Sequence, residues 1–249
     1  AASDVYKRQL QLSPATVAKI FTGKITKWDD AAIVADNTVV NAKTKKKTVA
    51  KLPATAITVN YRQEKSGSTG IFTGWMKKLV PDVWTTASGE TFNTIFPGGT
   101  IPAGTFQGQT GSDGLANGVK AKDGSIGYAE TSYAKERGLL IASVQNNMGE
   151  FVQPTSAATA AFINGFAAGT NGAISIDYSN KVKGSYTIAG YTYAIAYTQD
   201  KNVGTQAIVR QFLGYVLDDC AKESAAKLGY APLTGALLAL SNKQILLVN

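Results

Sequence analysis

The sequence contains no histidine and a single cysteine, Cys220. Without an imidazole the chain lacks the commonest general base and the commonest zinc ligand. One cysteine excludes an intrachain disulfide. Around it Ile208, Phe212, Leu213, Val216 and Leu217 recur at helical spacing. That pattern reads Cys220 as a buried structural thiol, not as a nucleophile, since no imidazole exists to activate it. Long apolar runs are missing as well. The greasiest stretch, residues 236–240, falls far short of the ~20 residues that cross a bilayer. No repeat of fixed period is present. Charged residues make up only 17%, against 44% hydrophobic, which is the balance of a folded globular chain. At 249 residues it can form one large domain or two small ones.

What charge there is leans positive, with a formal net value of +8. A basic protein binds nucleic acid, anionic surfaces or anionic small molecules. Much of the excess sits in Lys43, Lys45, Lys46, Lys47 and Lys51, in a polar stretch without apolar periodicity. It reads as a solvated loop, because no aromatic residues interleave as they do in single-strand binders. The opening residues 1–9 are polar and unpatterned, without the apolar centre of a signal peptide. They read as the head of a mature chain, or of one whose N-terminal part is missing.

Helical and extended patterns alternate along the rest, which predicts an α/β fold. Ser13 and Pro14 start a helix that Gly23 ends, with Val17, Ile20 and Phe21 on its apolar face. Residues 56–61 alternate as a strand. Ile71, Phe72, Trp75, Met76 and Leu79 form a core-facing helical stripe over residues 71–80. A Gly-rich span over residues 97–118 leads into a capped helix at Gly111-Ser112-Asp113-Gly114, and residues 124–130 read as a turn and a buried strand. Residues 155–168 form a small-residue helix, residues 187–198 a strand, and residues 204–219 the most amphipathic helix of the chain. A composition shift near residues 184–190 marks a domain crossing.

The segment with most chemical content is Arg62-Gln63-Glu64-Lys65-Ser66-Gly67-Ser68-Thr69-Gly70. A strand, a hydroxylated turn and a helix start make a site for a tetrahedral oxyanion. Free N–H groups point out of the first helical turn, and the helix dipole favours negative charge there. Ser66, Ser68 and Thr69 add hydroxyls, Gly67 admits close approach, and Arg62 supplies a guanidinium fork. The same residues also suit an ordinary N-cap with no ligand. The Walker spacing is absent. A hydrolase built on Ser66 or Ser68 lacks both a histidine base and a G-x-S-x-G elbow.

Five segments in register carry a resemblance. They are residues 12–30, Tyr61-Arg62 with Ser66-Gly67-Ser68-Thr69, Gly111-Ser112-Asp113-Gly114-Leu115, Gly124-Ser125-Ile126-Gly127-Tyr128-Ala129-Glu130, and Leu228-Gly229-Tyr230-Ala231-Pro232-Leu233. Together they resemble the phosphate-binding proteins of high-affinity phosphate ABC importers, from about Leu10 to about Leu240. The resemblance implies a periplasmic-binding-protein-like, type II architecture of two α/β lobes. Residues 1–186 would form the second lobe, with an unmatched head at 1–9, and residues 187–249 a C-terminal return to a partial first lobe. It implies an exported protein, periplasmic or at the cell surface, that is not an enzyme. Such a protein uses no metal or cofactor, binds no nucleic acid, and delivers inorganic phosphate to a membrane permease as its lobes close by a hinge.

By the same resemblance Arg62, Ser66, Gly67 and Ser68 hold the anion, with Ser68 in place of the usual Thr. Glu64-Lys65 stands where the family has Asp-Gly. Family members begin with a first-lobe segment that supplies further hydroxyls and an Asp, which accepts a hydrogen bond from protonated phosphate and so rejects sulfate. No segment of this sequence matches it, so weak discrimination between the two anions is expected. Another oxyanion, such as sulfate, molybdate or a phosphorylated metabolite, remains the alternative ligand.

Overall fold

The computed structural model describes residues 9–40, 43–169, 172–199 and 203–248. All of the opening head except Gln9 lies outside them. The chain divides into two compact units, one made of Ala1–Gln153 with Tyr178–Lys183, the other of Pro154–Asp177 with Gly184–Asn249.

In the first unit, β1 (Gln11–Leu12) leads into α1 (Pro14–Phe21). The predicted cap is present: Ser13 Oγ accepts from Thr16 N–H at 3.4 Å, and Gly23 follows with φ 72°. Asp30 caps α2 (Ala31–Asp36) through Ala32 N–H at 2.9 Å. The lysine-rich stretch is not simply a loop. Val39–Val40 (β2) and Lys47–Thr48 (β3) pair antiparallel, which holds the exposed lysines on a hairpin.

The central strand is β4 (Thr58–Arg62), and α3 (Gly67–Leu79) follows it. This helix opens four residues before its apolar stripe, because its first turn, Gly67 to Gly70, carries no apolar signal. Then come β5 (Phe106–Gln109), α4 (Gly111–Ala121), β6 (Ser125–Ile126) and α5 (Thr131–Glu136). The order β5-β4-β6 is parallel throughout, with Arg62 opposite Gln109 and Thr58 opposite Ser125. The predicted buried strand after Gly124 is thus only two residues long and half-buried. Helix α4 lies hard against the sheet at Gly118, where a Cβ would stand 2.6 Å from Asn60 Oδ1 and 2.5 Å from Gln109 Nε2. β7 (Ser143–Gln145) pairs parallel with β1 and antiparallel with β8 (Phe151–Val152).

The core of this unit is aromatic. Phe72 lies edge-on to Phe21 and stacks on Tyr128, with 4.7 Å between centroids in each pair. Phe72, Trp75 and Met76 of the predicted stripe are buried; Ile71 and Leu79 are half-buried.

The second unit holds α6 (Ser156–Ile163), capped by Thr155, then α7 (Val203–Tyr215), a π-helical segment (Val216–Ala225) and α8 (Gly235–Ile245). Two expectations fail here. Residues 187–198 form no strand: their alternation meets no neighbouring strand among the described residues, and Ile195 is 97% exposed. The stripe of α7 does not face a core. Ile208, Phe212 and Val216 are exposed, and Cys220 is half-buried, not buried. The helical spacing is real, but nothing among the described residues of this unit covers that face. No helix among the described residues is long and apolar enough to cross a membrane.

Replacing Phe72 by Ala should cost about 3–5 kcal/mol in urea unfolding, the usual range for a buried Phe. Ile195→Ser should stay within about 0.5 kcal/mol, as for an exposed site.

Candidate functional site

Two parallel strands end side by side and each turns into a helix. β4 ends at Arg62 and leads to α3; β5 ends at Gln109 and leads to α4. The register that sets Arg62 beside Gln109 brings the N-termini of both helices to one edge of the sheet. The carboxyl ends of parallel strands are where α/β folds bind ligands, and helix N-termini there suit anions.

These helix starts differ from others in the same unit. α1 and α2 are closed by their own side chains, whereas Ser66 before α3 and Thr110 before α4 make no capping bond. Ser66 takes an extended conformation and donates its N–H to Glu90 C=O at 2.8 Å. Among the described residues, nothing accepts from the N–H groups of Gly67, Ser68, Thr69, Ser112 or Asp113. The cap reading of the sequence therefore describes the backbone at Ser66 but not its hydroxyl. A Cβ on Gly67 would meet no atom within 4 Å, so the chain is open to approach there.

Arg62 is fixed between the two helix starts. Its Nε donates to Glu64 Oε1 at 2.6 Å, and Nη2 lies 2.5 Å from the same oxygen. Its Nη1 donates to Ser112 Oγ at 2.9 Å. Glu64 Oε1 also accepts from Gly111 N–H at 2.9 Å, which ties the loop after β4 to the start of α4. Lys65 points outward and pairs with Glu90 at 3.2 Å. Below the site, Tyr128 OH accepts from Arg62 N–H at 3.2 Å and shares a hydrogen bond of 2.7 Å with Thr69 Oγ1. Thr69 is wholly buried, and its hydroxyl is engaged by Tyr128.

Sequence reasoning selected Arg62, Ser66, Gly67, Ser68 and Thr69, and the structure gathers them at one strand end. It did not select Ser112, Tyr128 and Glu130 as site residues. Ser68 Oγ donates to Glu130 Oε1 at 2.9 Å, and Glu130 itself stands just before α5, another helix without a side-chain cap. The available signal was a second Gly-Ser helix start after an extended stretch at residues 111–112. Its placement beside Arg62 depends on strand pairing, which the local sequence does not record.

Both carboxyls of the site are held below their ordinary value of 4.5. For Glu64, burial acts to raise it; the Arg62 hydrogen bond, the N–H groups of Glu64 and Gly111, and the Arg62 charge outweigh that effect. For Glu130, burial again opposes; the hydroxyls of Ser112 and Ser68, its own N–H and the Arg62 charge prevail. Burial pushes the Tyr128 phenol up, so it stays neutral. Among the described residues no group of His, Cys, Asp and Glu could hold a metal ion.

Residues 3–219 match the model of the PBP superfamily domain. The chain belongs to this superfamily. It is 29% identical over 236 residues to the phosphate-binding protein PstS of Xylella fastidiosa (strain Temecula1), covering 90% of this chain and 57% of that protein. PstS of Haemophilus influenzae is 29% identical over 237 residues, covering 95% and 65%. Among solved structures, a high affinity periplasmic phosphate-binding protein bound with phosphate aligns with a TM-score of 0.71 at 22% identity, over 94% of this chain and 65% of that one. The phosphate-binding protein from Stenotrophomonas maltophilia aligns with a TM-score of 0.66 at 23% identity, over 95% and 65%. At these identities the structures establish the periplasmic-binding-protein fold. The chain spans 57–65% of the length of these relatives.

Depressed carboxyls bind fewer protons in the folded than in the unfolded chain. Their contribution to stability is present above pH 4.5 and is lost as pH falls through the folded-state values. A Glu64→Gln, Glu130→Gln double variant should be less stable than the parent at about pH 7, and the gap should close toward about pH 3, read from urea midpoints.

Proposed function

We propose that this chain binds inorganic phosphate at the cradle formed by Arg62, Ser66, Gly67, Ser68 and the first turns of α3 and α4. It serves as the exported solute-binding component that presents the anion to the permease of an ABC importer. One observation carries the reading: a guanidinium locked between two helix starts at which, among the described residues, the N–H groups of Gly67, Ser68, Thr69, Ser112 and Asp113 lack acceptors. The relatives named as phosphate-binding proteins point the same way.

Such a cradle replaces the hydration shell of the ion with fixed N–H and hydroxyl donors, while Arg62 offsets the charge. No covalent step is needed. The carboxylate against Ser68 is held ionised and below its ordinary range, which makes it a poor general base, and the sequence has no histidine to take that role. Binding thus accounts for the site better than hydrolysis.

Calorimetry with inorganic phosphate tests the proposal. The parent chain should bind, and Arg62→Ala should weaken binding by roughly 10- to 100-fold, the range for hydrogen bonds to a charged group. Arg62→Lys should recover only part of that loss, since an ammonium cannot reproduce the fork. Undiminished affinity in Arg62→Ala, or no binding by the parent at millimolar phosphate, would overturn it.

A further inference from the structure

The hairpin of β2 and β3 shares no residue with the cradle. Val39 pairs with Thr48 and Val40 with Lys47, and among the described residues no third strand joins this ribbon. A two-stranded ribbon with no cover is marginal in water. Its side chains are not those of a solvated turn alone. Val39, Val40 and Val49 are exposed at 49%, 50% and 61%. Lys43, Lys45, Lys46, Lys47 and Lys51 are exposed as well. Residues directly opposite in a ladder share a face, so the apolar Val40 and the cationic Lys47 lie side by side. No Asp or Glu occurs between Asp36 and Glu64. Among the described residues no carboxylate pairs with Lys45, Lys46, Lys47 or Lys51. Like charges gathered this way repel one another, and the fold supplies no counter-charge to relieve them.

We propose that this hairpin docks the protein on a surface of anionic lipid headgroups. Two complementarities select that partner. The clustered ammonium groups match a plane of fixed negative charge, and each lysine brought within a Debye length of it strengthens partition roughly fivefold. The exposed valines match the apolar boundary beneath the headgroups, where lysine stems also lie while their charges stay in water. Nucleic acid fits the charge but not the valines. It is gripped by guanidinium forks and by aromatic stacking, and residues 39–51 contain neither an arginine nor an aromatic ring. No residue of the cradle takes part, so the inference is independent of the phosphate reading. It gives a chain with no membrane-spanning helix among its described residues a reversible hold on a membrane face.

Co-sedimentation with lipid vesicles tests it, with pure phosphatidylcholine set against phosphatidylcholine mixed with phosphatidylglycerol. The parent chain should bind the mixed vesicles and not the neutral ones, and about 1 M salt, which screens charges beyond ~3 Å, should release it. Lys45→Gln, Lys46→Gln and Lys47→Gln together should weaken partition by about 100-fold. Val39→Thr with Val40→Thr keeps the β-branched shape; it should weaken vesicle binding several-fold and leave retention on duplex DNA unchanged. Arg62→Ala should bind vesicles as the parent does. No binding of the parent to mixed vesicles, or equal binding to neutral ones, overturns the inference. Undiminished binding in the triple lysine variant does the same, because the contact then lies elsewhere. So does tighter binding to duplex DNA than to mixed vesicles. Vesicle binding lost in Arg62→Ala places the lipid at the cradle and also overturns it. If the lysine variant fails to fold, salt decides: vesicle binding that persists at about 1 M salt overturns the inference.

Discussion

The site depends on one ion pair, between Arg62 and Glu64. A guanidinium at the end of a buried parallel strand is stable only with a partner, because desolvation costs several kcal/mol per ion. Glu64 answers that need from two residues away, and with the same oxygen it holds the N–H of Gly111. One carboxylate oxygen therefore fixes the direction of the cation and the position of α4. Remove it, and the two helix starts lose the link that sets them around Arg62.

The aromatic core reaches the site through Tyr128. Its ring stacks on Phe72, and its hydroxyl holds Arg62 N–H and Thr69 Oγ1. Packing that stabilises the first unit also sets where β4 stops and α3 starts. Above that floor lie the donors: uncapped N–H groups, the guanidinium and two serines whose protons lean toward Glu130. A polar network of this kind holds its geometry because nearly every member is oriented by another.

What was legible in the sequence was what local chemistry decides. Ser13, Pro14 and Gly23 bound α1 because capping and positive φ are properties of a few adjacent residues. The turn from strand to helix between Arg62 and Ser68 was legible for the same reason. The start of α3 was misplaced by four residues, since Gly67 to Gly70 carry no apolar period. Ser112 and Glu130 were not legible as partners of Arg62 and Ser68, because parallel strands join residues that lie ~50 to 60 positions apart, and only the register connects them. Residues 187–198 show the converse. Their alternation suits a strand, but a strand needs a neighbour to satisfy its backbone, and Ile195 and Tyr197 stand exposed without one in their unit. The apolar period of α7 likewise predicts a buried face, but burial needs a covering surface that periodicity does not supply.

The central claim is that a desolvated anion sits on the N–H groups at the starts of α3 and α4. Amide NMR during a phosphate titration tests it most directly. The resonances of Gly67, Ser68, Thr69 and Ser112 should move together and saturate, while those of the lysine hairpin at residues 43–51 stay still. Shifts confined to the hairpin, or none at the two helix starts, would contradict it.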